Sequence, residues 1–323
     1  MANTAAIGQI PTTMYEETSG LAQNISAVER ETGLSKDVLR MWERRYGFPK
    51  PARDENGERQ YSQAETAKLC AIKRLMDIGV RPGKIIGLTL DELNALADAR
   101  APLRPNAAAP ALERDVLTLL RTHDVAALQQ ALAQSLMRQG LQRFVLDTLA
   151  PLNRLVGEAW MRGELHVFEE HAYTEQVQSS LRTAINAFPR QAGHPRILLT
   201  TLPTEQHGLG LLLVESLLVA EGAHCLSLGP QTPLDDIRRA ALAHVIDIVA
   251  LSFSSAFPVR QATDSLARLR RHLPHPIALW AGGEMTRRIR KTLPGVLLVP
   301  ELASSVTALR SWRAQNVNAA NAS

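Results

Sequence analysis

At 323 residues the chain has room for two or three domains with real cores, and a hydrophobic content of 45% with few aromatics is ordinary for a globular protein. Two cysteines, Cys70 and Cys225, far apart and without CxxC spacing, exclude a disulfide framework and fit a reducing cytoplasm. No signal peptide and no apolar run of membrane-spanning length is present, and the net charge of +4 is small enough that its placement matters more than its size.

Residues 1–23 lack periodicity and read as a disordered arm. Residues 24–98 form a charged, helical module. Between 24 and 90 there are 13 Lys+Arg against 9 Asp+Glu, which matches the whole excess of the chain. Ser26 is expected to cap a helix over 27–32, Gly33-Leu34 turns the chain, and Ser35 caps a second helix over 36–46. Two short helices joined by a glycine turn are helix-turn-helix geometry. Leu39 and Trp42 should face the core of the second helix, which leaves Lys36, Arg40 and Arg44 on the opposite stripe, free to enter a major groove. Asn56-Gly57 predicts a hairpin turn between two short arms, a wing whose Arg53 and Arg59 could grip phosphates.

The string Leu-Arg-Met-Trp-Glu-Arg-Arg-Tyr-Gly-Phe-Pro, then Gly-Glu-Arg-Gln-Tyr and Arg81-Pro-Gly-Lys-Ile-Ile86, resembles the MerR family of winged-helix regulators over roughly residues 24–95. The resemblance implies a double-stranded DNA operator as partner and adds Arg45, Tyr46 and Tyr61 to the DNA-binding set. MerR proteins usually continue into a long coiled coil for dimerisation. Here an Ala/Pro-rich linker over 99–110 follows instead, so dimerisation must arise elsewhere.

Residues 111–190 show helical period throughout. Four helices are predicted, at 111–121, 124–139, 140–162 and 166–187, with Asp124 as an N-cap, a junction at Gly140 and a stop at Gly163. From 191 to 314 strands alternate with helices. Strands are expected at 196–201, 223–228, 245–252, 276–281 and 296–299. Helices are expected at 208–221, 234–243, 259–273, 285–292 and 303–313. That alternation implies a doubly wound parallel sheet. Residues 315–323 read as a frayed tail. The fold class is therefore multidomain α and α/β: a winged helix-turn-helix, a four-helix bundle and a Rossmann-like or flavodoxin-like domain.

The most informative motif is Glu205-Gln-His207-Gly208-Leu-Gly210, placed after the first strand of that sheet. A histidine at the carboxyl end of a strand, with a carboxylate two residues before it, is built to ligate a metal or to move protons. After Gly210, 41 residues intervene before Ser252-Phe-Ser254, and after Ser254, 27 residues intervene before Gly282-Gly283. Each element falls at a strand's carboxyl end, so all converge on one crevice. The set suits a large, flat, metal-centred cofactor with a long tail. Gly208 and Gly210 let backbone approach it, Ser252 and Ser254 can donate to a buried base, and Gly282-Gly283 leaves room for the tail. Zinc is disfavoured because Glu205 is the only other ligand-type side chain in the turn.

This pattern resembles the base-off/His-on cobalamin-binding fold, with Glu205 where that family has Asp and Ser254 where it has Leu. The resemblance implies that His207 is the lower axial ligand of cobalt and Glu205 the acid behind it. In the helical segment, Trp160 followed after nine residues by Glu170-His171 resembles the adenosyl-pocket signature of the CarH/LitR photoreceptor regulators. In that family the Trp packs on the upper ligand, the Glu binds ribose hydroxyls and the His lines the same pocket. A histidine directly after the Trp captures cobalt after illumination; here the position is Met161, so water, His166 or His171 would have to serve.

The resulting expectation is a cytoplasmic, non-enzymatic repressor with adenosylcobalamin as cofactor and no membrane partner. It would bind DNA in the dark as a homo-oligomer, dimer or tetramer, and release it on photolysis. The alternatives are a regulator that senses cobalamin level or redox state without light chemistry, and a corrinoid methyl-carrier protein.

Overall fold

A computed structural model of the chain describes residues 22–77, 79–99, 111–188 and 194–321. The expected arm (but for residues 22 and 23) and the expected linker (but for residue 99) lie outside the described residues. The chain divides into two compact units, Met1–Lys73 with Arg81–Ala95, and Arg74–Val80 with Leu96–Ser323.

The first unit opens with strand β1 (Gln23–Asn24) and helix α1 (Ile25–Thr32). Asn24 caps α1, its side chain accepting the Ala27 N–H at 2.9 Å, and the expected cap Ser26 lies inside the helix. Asn24 is the residue with extended backbone at that point, which is what a cap requires. Gly33, at φ +67°, supplies the left-handed turn into α2 (Lys36–Tyr46), and the Ser35 hydroxyl accepts the Val38 N–H at 3.3 Å as expected. Strands β2 (Ala52–Arg53) and β3 (Arg59–Tyr61) form the wing, and β1 adds to the far side of β3 as an antiparallel partner that the sequence pattern did not predict. Helices α3 (Gln63–Asp77), α4 (Pro82–Ile85) and α5 (Leu90–Asp98) follow. Val28, Leu39, Trp42, Tyr61, Leu69, Ile72 and Leu93 are all buried in this part of the chain.

The second unit begins with α6 (Ala111–Arg121) and α7 (Val125–Gln139), the latter capped by Asp124, which accepts the Ala127 N–H at 2.9 Å. The third bundle helix is continuous but changes winding. It runs as α8 (Leu141–Arg143), a π-helical stretch Phe144–Leu149, and α9 (Ala150–Met161). Helix α10 (Val167–Ala187) completes the bundle.

Five parallel strands follow: β4 (Arg196–Thr200), β5 (His224–Gly229), β6 (Ile248–Ser252), β7 (Ala278–Gly282) and β8 (Val296–Val299), in the spatial order β5-β4-β6-β7-β8. The order reverses between β4 and β6, so the crevice beyond their carboxyl ends is the topological switch point. Helices α11 (Leu209–Ala220) and α14 (Ser304–Asn321) cover one face, and α12 (Leu234–Ala243) and α13 (Val259–His272) the other. The helix expected over 285–292 is a short 3-10 turn, Glu284–Arg288. The expected tail is helical as far as Asn321, where α14 ends, and its sequence up to there contains no glycine or proline to stop it.

Period-two alternation sorts the strand residues. Ile197, Leu199, Ile248, Ala250 and Trp280 pack against Leu211 and Leu218 of α11 and Leu309 of α14. Leu198, Val249, Leu251, Leu279 and Ala281 pack against Ile237 of α12 and Ala262 and Leu266 of α13. Helix α11 is buried twice, since Leu212, Leu213 and Leu217 belong to the core of the bundle with Val156, Tyr173 and Val177. That double burial is why its sequence is apolar nearly all round.

Candidate functional site

The first unit carries the DNA-binding candidates. Arg40, Arg44 and Arg45 stand exposed on α2, with Lys36 and Tyr46 half-buried beside them. Arg40 and Lys36 have carboxylate neighbours, Asp37 at 3.4 Å and Glu29 at 3.7 Å. The wing departs from expectation. Arg59 is half-buried and its Nε donates to Glu43 of α2 at 2.7 Å, while Arg53 Nη2 lies 4.0 Å from the same carboxylate and Nη1 donates to the Gly57 carbonyl at 2.8 Å. Arg59 is thus held by Glu43 before any phosphate arrives, and Arg53 by the Gly57 carbonyl of its own turn. Tyr61, expected among the DNA contacts, is 0% exposed and belongs to the core. Its alternation with Gln60 on a strand covered by helices turns it inward.

Sequence reasoning missed Glu43, and it missed Asp54, which fixes the wing turn. Asp54 accepts the N–H groups of Asn56 (3.0 Å) and Glu58 (2.8 Å) and the Gln60 amide (3.0 Å). These bonds hold its carboxyl below the ordinary value, the Gln60 bond foremost. An Asp two residues ahead of Asn-Gly was the available signal.

At the switch point of the parallel sheet the expected residues come together. The His207 ring stands 49% exposed on the turn, and its Nδ1 lies 2.7 Å from Glu205 Oε1. Glu205 is 2% exposed. Its Oε1 also accepts the His207 N–H at 3.1 Å, and its Oε2 accepts the N–H and the hydroxyl of Ser254, both at 2.8 Å. Burial alone would raise the Glu205 pKa, but the bonds from His207 and Ser254 outweigh it and hold the carboxyl below its ordinary value. An ionised Glu205 favours the imidazole tautomer protonated on Nδ1, the form whose Nε2 ligates a metal.

Two sequence expectations change here. Ser254 was read as a donor to a buried base, whereas its hydroxyl is committed to Glu205 and ties the third strand's loop to the first. Gly283 was read as leaving room for a cofactor tail. Its φ is +94°, and a Cβ there would stand 2.2 Å from the Phe253 carbonyl oxygen, so backbone packing already demands glycine. Gly210 lets the start of α11 approach Ser252 closely, since a Cβ on it would sit 2.9 Å from Ser252 Oγ. Ser252 and Gly282 project on the α11 face with Ala250 and Trp280, and Gly208 lies at the N-terminus of α11. Among the described residues no group of three or more His, Cys, Asp or Glu is placed to hold a metal ion. A lone imidazole suits a metal that arrives with its other ligands in place, as cobalt does in a corrin.

In the bundle, Trp160 packs on the core that also contains Leu209, Leu212 and Leu213 of α11. Glu170 and His171 pair with one another, Oε2 to Nδ1 at 2.8 Å, and Glu170 Oε1 accepts the Thr174 hydroxyl at 2.7 Å. Met161 is half-buried at the end of α9. His166 donates its N–H to the buried Glu169 at 2.6 Å and stacks on Phe168 at 5.8 Å between centroids.

Comparison with known proteins agrees with this layout. Residues 24–91 match the MerR HTH family regulatory protein model, and residues 112–184, the bundle, match the B12 binding domain model. The HTH-type transcriptional repressor CarH of Myxococcus xanthus is 31% identical over 261 residues, covering 79% of this chain and 86% of that protein. The chain belongs to the CarH/CarA family of transcriptional repressors. CarA of the same organism is 29% identical over 259 residues, 79% of this chain and 85% of that protein. Among solved structures, the monomethylamine corrinoid protein of Methanosarcina barkeri shares the fold, with a TM-score of 0.50 at 14% identity over 61% of this chain and 96% of that chain. This member of the CarH/CarA family is thus a MerR-type regulator with a B12-binding domain, and none of its described helices is long and apolar enough to cross a membrane.

Proposed function

We propose that the chain is a light-responsive repressor with adenosylcobalamin as cofactor, binding its operator as an oligomer in the dark and releasing it on illumination. One observation carries the reading. The Glu205-braced imidazole sits at the leading end of a helix, α11, whose two faces belong to two cores.

When bound, adenosylcobalamin supplies a cobalt–carbon bond that visible light breaks. His207 Nε2 would ligate the cobalt, with Glu205 and Ser254 fixing the ring. Gly210, Ser252 and Gly282 would admit the nucleotide tail on the α11 face of the sheet. Trp160, Glu170 and His171 would line the pocket for the upper ligand. A displacement of His207 at the start of α11 would bear on the packing of Leu212, Leu213 and Leu217 against the bundle. A few kcal/mol of cofactor preference for one assembly suffices to switch it. Several winged helices on one oligomer raise operator avidity without new contacts.

The test is to load the chain with adenosylcobalamin in darkness, illuminate it, and follow absorbance and oligomer size together. The expected result is a spectral change with a change in size; a spectral change at constant size removes the photoreceptor mechanism. Met161 supports a second reading, a sensor of cobalamin level without light chemistry, because a thioether is a weaker ligand for cobalt(III) than the imidazole the family places there. Under that reading, cobalamin with any upper ligand changes DNA affinity equally in light and darkness.

A further inference from the structure

The strongest concentration of positive charge lies outside the winged helix. Residues 259–291 hold eight Lys+Arg against two Asp+Glu, a larger excess than the whole chain's +4, which corrects the expectation that residues 24–90 account for it. Helix α13 turns Ala262, Leu266 and Leu269 into the core. The opposite stripe carries Arg260, Arg268 and Arg271, all exposed. The chain beyond the 3-10 turn packs beside this helix, with Gly295 placed so that a Cβ would stand 2.8 Å from Arg270 Cδ. The turn exposes Arg287 and Arg288, and the stretch after it Arg290 and Lys291.

Some of these cations serve the fold. Arg288 donates to the carbonyls of Ser255 and Phe257, and Arg270 to those of Ile277, Leu273 and Pro274. Arg260 and Arg287 have carboxylates at 3.8 Å, Asp264 and Glu301. Arg268, Arg271, Arg290 and Lys291 have no carboxylate within ion-pair distance among the described residues. They are exposed cations on α13 and on the segment that packs beside it, and three of the four are arginine, the side chain best shaped for phosphate.

We propose that this face of the α/β domain is a second contact surface for the DNA backbone, engaging phosphates apart from those held by the winged helix. The partner follows from charge complementarity: a regulator spends its bound state beside a polyanion, and contacts to its phosphates add affinity without sequence preference. The stripe from Arg260 to Arg271 rises roughly 16 Å along the helix, enough to meet two or three successive phosphates of one strand. The inference rests on the chain being a DNA-binding regulator.

The test uses the full chain, loaded with cobalamin, and a 60-bp random-sequence duplex as the probe. The variant is Arg268→Gln/Arg271→Gln/Arg290→Gln/Lys291→Gln. Its slope of log affinity against log salt should fall by about 3 to 4, from roughly 0.9 per phosphate lost. An equal slope for wild type and variant, with cofactor loading unchanged, overturns the proposal. A second arm removes the winged-helix cations by Arg40→Gln/Arg44→Gln/Arg45→Gln. Residual salt-dependent binding, abolished when both sets are combined, supports the second surface; complete loss from the winged-helix set alone overturns it. A wild-type chain that binds no duplex at all would sink the DNA-binding reading instead. Retention on anionic vesicles with an unchanged duplex slope would reassign the face to a membrane surface.

Discussion

Glu43 and Glu205 do the same task in two different media. Each is a carboxylate set behind a functional group and hydrogen-bonded to it at 2.7 Å, Glu43 to Arg59 of the wing and Glu205 to the imidazole of His207. Glu43 is partly exposed, and the pair it makes is screened by water and salt. Glu205 is buried and surrounded by four donors from two loops, so its position is determined by the fold. The contrast suits the tasks proposed for them: a wing would have to adjust to the duplex it meets, whereas a metal ligand would have to hold one geometry.

The largest effect that would break this contrast lies beside Glu205. Gly283→Ala forces a Cβ onto the Phe253 carbonyl at a left-handed φ, and should cost about 2–5 kcal/mol by backbone strain and overpacking. A thermal melt reads it directly, and an unchanged midpoint would mean that the Phe253 loop yields freely. Next comes Glu205→Ala, which strands the Ser254 and His207 donors. A loss of about 2–4 kcal/mol in stability is expected, with cobalamin affinity lower by about 10- to 100-fold.

The same carboxylate predicts a pH dependence. Its folded pKa lies below the ordinary 4.5, so its stabilising contribution is complete above that value and is lost as pH falls through the depressed folded value. Melts of wild type and Glu205→Gln should therefore converge only in the acid range below the ordinary value. Convergence at pH 6 would contradict an ionised, hydrogen-bonded Glu205. Ser254→Ala keeps the backbone donor and removes the hydroxyl, for about 1 kcal/mol and a weaker hold on the cofactor. The smallest expected effect is Glu43→Gln, below about 1 kcal/mol in stability. Its signature is a steeper salt dependence of DNA binding, as two wing cations lose their internal counter-charge. A fall in stability as large as that of Glu205→Ala would erase the distinction between the two carboxylates.

The sequence disclosed most of this architecture because its signals are local. The Ser35 and Asp124 caps, the Leu39 and Trp42 stripe, and the apolar runs after Pro195 each report on their own segment, and apart from the 3-10 turn and the longer α14 the elements stand within a few residues of the predicted bounds. The site was legible where spacing alone carries it, as with Glu205 and His207. What escaped was pairing across distance. Nothing local marks Arg59 for Glu43, or Ser254 for Glu205, 49 residues apart. Tyr61 misled because its position in a basic wing outweighed its strand alternation. The role of Gly283 is set by the neighbouring loop, which the sequence pattern does not locate.

Helix α11 has a thermodynamic consequence. Leu211 and Leu218 complete the core beneath the sheet, while Leu212, Leu213 and Leu217 complete that of the bundle. Neither core can be opened without exposing part of the other, so the bundle and the sheet share one melting transition although they are built as two folds. Calorimetry of the second unit should give a single endotherm whose midpoint rises with cobalamin.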